Sequence, residues 1–236
     1  MDCLDLTLAT IEENLALDEA LLLQAEDRQA GEVLRLWEWP VPAVVLGAGG
    51  KLAEDVDEER CGAEGVPIRR RSSGGGTVLL GRGCFCFSLV LRLARSPLLE
   101  QIRLSYRFIL DEVLAALDVP GAEVAGISDL AIAGRKFSGN AQQRKRDFIL
   151  HHGTILYAFD LPRLSAYLQF PARQPEYRAG REHQSFVCNI GMDSAELRRR
   201  LCARWQATEM RTTWPAERVR QLVDQRYGVQ EWIRRR

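Results

Sequence analysis

Three consecutive glycines, two serines behind three arginines, constrain this chain more than any other feature. The stretch reads Arg69-Arg70-Arg71-Ser72-Ser73-Gly74-Gly75-Gly76-Thr77-Val78, with apolar runs on both sides, Val66 to Ile68 and Thr77 to Leu80. Glycine lacks a Cβ and accepts backbone conformations closed to other residues. A triple glycine can therefore fold tightly and aim successive N–H groups at one anion. Arginine adds bidentate contacts to carboxylate or phosphate. The pattern predicts strand, anion-binding loop, strand; a plain flexible turn is the alternative if the glycines are taken alone. No Gly-Lys-Ser/Thr follows, which argues against a nucleotide-binding P-loop.

A second stretch runs from Asp129 through Gly134-Arg135-Lys136-Phe137-Ser138-Gly139-Asn140-Ala141-Gln142. Ile127 to Ala133 reads as a strand, and Gly134 turns it towards a short polar turn holding Lys136. A lysine held beside a phosphate or an acyl carbonyl stabilises developing negative charge. The alternative is a solvated surface lysine, the usual fate of that residue. Only Lys51 and Lys145 occur besides it, against 29 arginines, so a lysine here is a mild pointer. A third stretch, His151-His152-Gly153-Thr154, lies in an apolar run from Leu150 to Phe159 that reads as a strand. Adjacent strand residues face opposite sides, so the two histidines do not line one pocket, a metal pair is disfavoured, and hydrogen-bonded structural histidines are the expectation.

The remaining elements follow from periodicity. Apolar residues at helical spacing predict a helix from Ile11 to Arg28. Leu34 to Trp39 alternates like a strand until Pro40 and Pro42 stop it, and Ala43 to Gly47 reads as a short buried strand. Asp55 to Gly65 is helix-compatible, Cys84 to Leu91 is a strand, Ser96 to Leu117 a helix, and Leu161 to Leu168 begins another. Cys84 and Cys86 share one strand face, which is expected to be core rather than pocket. From Ser194 the texture changes to arginine-rich amphipathic helices, 195–207 and 215–227, with Trp214 and Trp232 as anchors. Their arginines could meet an acidic acceptor or carrier protein, although a solvated face is the preferred reading.

With 236 residues and 46% apolar content, the chain can bury a sizeable core. A formal net charge of zero gives no argument for a nucleic-acid or membrane partner. There is no apolar run of membrane-spanning length and no basic segment ahead of the acids Asp2 and Asp5, so a cytoplasmic location is expected. Six cysteines, without any Cys-x-x-Cys pair, are expected as free, packed thiols rather than zinc ligands.

Together the three motifs resemble the lipoate-protein ligase and octanoyltransferase family, relatives of biotin protein ligase. The family pattern is Arg-Arg-x-Ser-Gly-Gly-Gly, then Gly-x-Lys-x-Ser-Gly-Ser/Asn-Ala-Gln, then His-His-Gly-Thr-Leu-Leu. Here these read Arg70 to Gly76, Gly134 to Gln142 and His151 to Leu156, and the likeness runs from about Asn14, with its Asn-x-Ala-x-Asp-Glu run, to about Gly191. The resemblance implies an α/β (α+β) fold with a central mixed, mostly antiparallel sheet flanked by helices. It implies a catalytic domain over residues 1–192, with residues 193–236 a helical extension packed on it. The large C-terminal accessory domain of longer ligases is absent from this length; some members obtain it from a separate polypeptide, so an accessory subunit is a possible partner.

The implied chemistry joins a medium-chain acyl group to one lysine of an acceptor lipoyl-domain protein. In the ligase version, ATP and lipoate (or octanoate) make an acyl-adenylate, which the acceptor lysine attacks. By this likeness Lys136 is the catalytic residue. The acyl-adenylate would be held by Arg70, Arg71, Ser73, Gly74, Gly75, Gly76 and Thr77 on the first motif, by Ser138, Gly139, Asn140 and Ala141 on the second, and by His152, Gly153 and Thr154 on the third. Asp129 occupies the position matching a Mg²⁺ ligand. The transferase version takes an octanoyl group from acyl carrier protein through a cysteine thioester. One branch carries that cysteine just before the lysine, where this chain has Ser128 and Asp129; another carries it downstream, where Cys188 stands. The segment Leu79 to Cys84 also lacks the Asp-x-Gly-Asn of many ligases, which bears on cofactor contacts there. The leading expectation is the ATP-dependent ligase. Octanoyl or lipoyl transfer without ATP, biotin ligation, and a non-catalytic acyl- or carrier-binding module are the alternatives.

Overall fold

The computed structural model describes residues 1–236. Strand β1 (Asp2–Asp5) leads into helix α1 (Ile11–Glu26). The helix starts where Thr10 and Glu13 form a reciprocal capping box, satisfying two of the backbone donors that a helix start leaves free. Strands β2 (Val33–Glu38) and β3 (Ala43–Leu46) follow, split by Pro40 and Pro42. A separate short helix, α2 (Leu52–Asp55), precedes α3 (Glu58–Ala63), which the helix-compatible stretch from Asp55 to Gly65 carries. They part where Val56 turns extended to bridge Leu168. Then come β4 (Ile68–Arg70), β5 (Val78–Leu80), β6 (Cys84–Arg92) and α4 (Ile102–Leu117). Helix α4 begins later than Ser96 because Pro97 opens a separate 3₁₀ turn.

Strands β7 (Ala122–Ala125), β8 (Asp129–Ile132), β9 (Arg135–Arg144) and β10 (Phe148–Leu156) form a meander. The expected polar turn around Lys136 is thus corrected to a ten-residue strand. Ser138, Gly139 and Asn140 are poor strand formers alone, but pairing with β10 on one side and β8 on the other overrides that preference. Helices α5 (Pro162–Tyr167), α6 (His183–Phe186) and α7 (Ser194–Arg204), the short β11 (Glu209–Met210), α8 (Ala216–Leu222) and α9 (Gln230–Ile233) complete the chain.

The eight-stranded main sheet runs β11-β1-β2-β6-β10-β9-β8-β7. The β1 pairings with β11 and β2 are parallel, and every other neighbour pair is antiparallel. This is the mixed, mostly antiparallel sheet expected. A three-stranded sheet, β4-β3-β5, stands apart from it. Strand alternation divides the core in two. Along β6, Phe85, Phe87, Leu89 and Leu91 join a cluster with α4 and α7, while Cys84, Cys86 and Val90 join a larger one with α1 and the small sheet. The functional cleft opens on the second face, between the two sheets.

The segment after α7 returns to that face. Glu19 on α1, 4% exposed, accepts hydrogen bonds from Tyr227 Oη at 2.7 Å and from Arg226. Trp232 Nε1 donates to the Arg70 carbonyl at 2.9 Å, and the Leu52 amide donates to the carbonyl of Arg236. Trp214 packs partly buried on the larger cluster. No helix is long and apolar enough to cross a membrane.

Candidate functional site

A cavity of about 130 Å³ is walled by α1, β2, β3, β5, β6, β8, β9 and β10. Strand register fixes its direction. Trp37 pairs with Cys86, Cys86 with Thr154, Thr154 with Gly139 and Gly139 with Asp129, one row across five strands. All five residues line the cavity. At about 4.8 Å per strand the row spans roughly 19 Å. Its β2–β6 end is apolar, with Trp37 and Cys86 under Leu15, Val45, Val78 and Leu80. Its β8–β9 end is charged.

At the charged end, Lys136 Nζ lies 2.8 Å from Asp129 Oδ1, and Tyr177 Oη donates to Asp129 Oδ2 at 2.8 Å. Burial and the Asp129 carboxylate both raise the Tyr177 pKa, so its phenol keeps the proton it donates. Lys136 reaches the cavity by crossing Gly139: a Cβ there would sit 2.8 Å from Nζ and 2.9 Å from Cε. The glycine of the Ser-Gly-Asn run is thus a gap that the lysine side chain uses. The Lys136 carbonyl accepts from the Cys188 amide at 2.9 Å, so the short segment after α6 braces the lysine backbone.

Opposite stands the glycine loop. Arg71 is 8% exposed and binds it from within. Its Nη2 donates to the carbonyls of Gly74 (2.6 Å) and Gly76 (2.8 Å), its Nε to Ser73 Oγ, and its Nη1 to the Val45 carbonyl. Burial pushes Arg71 down to about 10, which leaves it a cation at neutral pH. Gly75 has φ of 87°, and Gly47 approaches so closely that a Cβ on it would lie 2.1 Å from the Gly75 carbonyl oxygen. With the carbonyls held by Arg71, the amides of Gly74, Gly75 and Gly76 donate to no group of the protein. Such free donors in a cationic loop suit an anion.

Arg70 is corrected in role. It is fully buried, and its guanidinium donates to the carbonyls of Gly47, Gly50, Trp232 and Ile233, away from the cavity. It stands next to Arg71 at a strand end, so the two side chains point to opposite sides. Arg70 ties the C-terminal segment to the loop instead of meeting a ligand. Ser73, Gly74 and Ser138 are likewise not among the cavity-lining residues: Ser73 Oγ bonds His152, and Ser138 Oγ accepts from Asn140. Gly75, Gly76, Thr77, Gly139, Asn140, Ala141, His152, Gly153 and Thr154 do line the cavity, with Arg71, Lys136 and Asp129. Gly153 is obligatory here, because a Cβ on it would fall 1.9 Å from Asn140 Oδ1.

The histidines separate as their alternation requires. His152 Nδ1 lies 3.1 Å from Asp18 Oδ2, and its Nε2 lies 2.6 Å from Ser73 Oγ. A carboxylate can only accept, so Nδ1 carries the hydrogen and Nε2 accepts from Ser73. Asp18 also accepts from the fully buried Arg35 at 2.6 Å. Burial would raise the Asp18 pKa, but Arg35 and His152 outweigh it and hold the carboxyl below its ordinary value. This chain of contacts, from Arg35 through Asp18, His152 and Ser73 to Arg71, joins α1 to the glycine loop. No sequence motif points to Trp37 or Tyr177; the Asn-x-Ala-x-Asp-Glu run is the one signal that points to Asp18.

His151 is fully buried on the other face, between Phe87 and Tyr106. Its Nε2 meets Asn140 Oδ1, and its Nδ1 meets the Gln142 amide nitrogen. Burial, with a smaller contribution from adjacent His152, pushes its pKa down to about 3. The unfolded chain takes up this proton near pH 6.5. Stability from this residue is therefore complete above about 6.5 and declines as pH falls from there towards 3, by up to ~1.4 kcal/mol per unit. His151→Gln should show a shallower loss of denaturant midpoint between pH 7 and pH 5 than the parent chain; equal slopes would remove His151 as a cause.

The thiols are all free. Cys86 lines the cavity, correcting the expectation that its face is core alone. A hydrogen bond with Cys84, then burial, drive its pKa well up. Cys188 is buried; its Sγ donates to the Arg135 carbonyl, and burial raises its pKa. No group of three His, Cys, Asp or Glu side chains is placed to hold a metal ion. Asp129 has one oxygen against Lys136 and the other against Tyr177.

The sheet, the cleft across its strands, and the lysine–carboxylate pair facing a glycine loop define an α/β catalytic domain. Comparison with known proteins gives its family. Residues 10–201 match the lipoyl protein ligase A/B catalytic domain, and the chain belongs to that family of lipoate-protein ligases and octanoyltransferases. It is 29% identical to octanoyltransferase LipM of Carboxydothermus hydrogenoformans, over 94% of this chain and 93% of that protein. It is 32% identical to a probable lipoate-protein ligase A of Mycoplasma pneumoniae, over 75% of this chain but only 51% of that longer protein. A solved structure of a bi-partite lipoate protein ligase from Thermoplasma acidophilum superposes with a TM-score of 0.82 and 25% identity, covering 99% of this chain and 95% of that one.

Proposed function

We propose that this chain is a lipoate-protein ligase catalytic subunit that activates lipoate or octanoate with ATP and passes the acyl group to a lysine of an acceptor lipoyl domain. The observation that carries the reading is the pairing of Lys136 with a glycine loop whose amides are unclaimed, across a cavity with an apolar far end. The acyl tail lies along Trp37, Cys86 and Leu80, and its carboxylate meets Lys136. Attack of that carboxylate on the α-phosphorus forms the C–O–P anhydride and breaks the bond to pyrophosphate. The Gly75 and Gly76 amides and the Arg71 charge hold the anions together, and Lys136 neutralises the developing charge. The acceptor amine then attacks the acyl carbon, forms the amide, loses its proton and expels AMP. Lys136 serves again at the oxyanion, while Asp129 and Tyr177 hold its ammonium in place. We assign no step to a protein-held Mg²⁺. Likeness to one part of a bi-partite ligase supports an accessory chain as a partner, and the acceptor domain as the macromolecular substrate.

A second reading, octanoyl transfer from a carrier protein without ATP, is favoured by the nearly full-length likeness to an octanoyltransferase. That route needs a thiolate nucleophile. Cys86 is the only cysteine lining the cavity, and its hydrogen bond to Cys84 and its burial both keep it a thiol. Weighing an apo lipoyl domain by mass spectrometry after incubation decides between them. A lipoyl gain with lipoate, ATP and Mg²⁺, and none from octanoyl-carrier protein alone, is the expected result; the reverse pattern would establish the transferase.

A further inference from the structure

Beyond the apolar end of the cleft lies a second cavity, of about 490 Å³ against about 130 Å³ for the first. Pro40, Pro42, Leu79 and the turn Gly81–Gly83 wall one side, and Tyr157, Ala158 and Phe159 the other. Two strands pass from one cavity to the other. Thr77 and Val78 line the first and Gly81 the second; His152 to Thr154 line the first and Tyr157 to Phe159 the second. One residue belongs to both walls. Leu80, 3% exposed at the end of β5, lines the cleft together with Trp37 and Cys86 and also lines the outer cavity.

We propose that Leu80 is the stop that sets the longest acyl chain this protein accepts, and that the outer cavity is where a longer chain would continue if the stop were removed. The inference rests on reading the cleft as an acyl site, and it names the residue that would measure the chain. The neighbouring elements leave little freedom to move the wall. Leu80 pairs with Ala43 in the small sheet, and a Cβ on the next residue, Gly81, would already lie 3.3 Å from the Phe159 ring. Leu79 points the other way along the strand and lines the outer cavity only, so it is the natural control.

The test is direct binding of straight-chain fatty acids from six to fourteen carbons, followed by the fluorescence of the cavity tryptophan Trp37 against a Trp37→Phe reference and by calorimetry. Neither readout needs ATP or an acceptor. Affinity of the parent chain should rise roughly tenfold for each two methylenes the cleft buries, up to one length, and fall beyond it, where the extra carbons meet the Leu80 wall. Leu80→Ala should move the optimum to longer chains by two carbons or more. Leu80→Phe, which fills space rather than emptying it, should move it to shorter chains. Leu79→Ala should leave the optimum where it was. An unchanged optimum in both Leu80 variants would overturn the assignment of the stop while leaving the acyl site intact. Absence of binding at every length in the parent chain would overturn the acyl site itself, and the stop with it.

Discussion

Replacing Lys136 by alanine is expected to lower the rate of acyl transfer by about 10²–10³-fold with the fold retained. The magnitude is that of losing one preorganised donor at a developing charge. The geometry supports such preorganisation. The ammonium is fixed 2.8 Å from Asp129, Asp129 is fixed in turn by Tyr177, and Gly139 leaves the path open. Stability should change little, because the Lys136 side chain is 29% exposed and ion pairs of that kind contribute under about 1 kcal/mol. Lys136→Met, which keeps the apolar stem, should lose as much activity as alanine. Rates with saturating acceptor, together with denaturant midpoints, check both halves. A variant that turns over like the parent would take Lys136 out of the chemistry.

Asp18→Ala is expected to destabilise the protein by about 3–5 kcal/mol, the usual consequence of removing one partner from a buried ion pair. Arg35 is fully buried, and Asp18 is its only carboxylate partner; its other bonds go to the Asn14 side chain and to the carbonyls of Asn14 and Leu6. Against a total stability of about 5–15 kcal/mol this is a large fraction. Activity should fall further than stability explains, since His152 loses the acceptor that fixes its tautomer and Ser73 and Arg71 lie next in line. The acid side follows from the lowered Asp18 pKa. Its stabilisation is complete above the unfolded value near 3.9 and disappears as pH falls through the lower folded value. Urea titrations of the parent, Asp18→Ala, Arg35→Met and the double variant test this. The double variant should be less destabilised than the sum of the single ones, because no unpaired charge stays buried. Strict additivity would mean that the pair is not coupled.

The sequence carried the parts of this site that depend on local pattern. Alternation along Cys84 to Leu91 and across His151 and His152 separated the two faces, because a strand's side-chain period does not depend on its partners, but it did not show that the Cys86 face meets the cavity. The strand around Lys136 was not legible: Ser138, Gly139 and Asn140 look like a turn until two neighbouring strands claim their backbone. Strands β1, β7 and β11 escaped for the same reason, being short and defined by pairing more than by composition. The direction of Arg70 was hidden because its partners, Trp232 and Ile233, lie at the other end of the chain. The pairing of Asp18 with Arg35 required α1 and β2 to be packed before it existed. Hydrophobic period is local information, whereas the partner of a buried charge is not.

The central claim, that the acyl group is activated as an adenylate, is tested most directly by isotope exchange between pyrophosphate and ATP without acceptor. Exchange that appears only when lipoate or octanoate is added, and disappears in Lys136→Ala, is the result predicted here. No exchange under those conditions, together with an octanoyl adduct on a cysteine of the protein after incubation with octanoyl-carrier protein, would contradict it and establish transfer through a thioester.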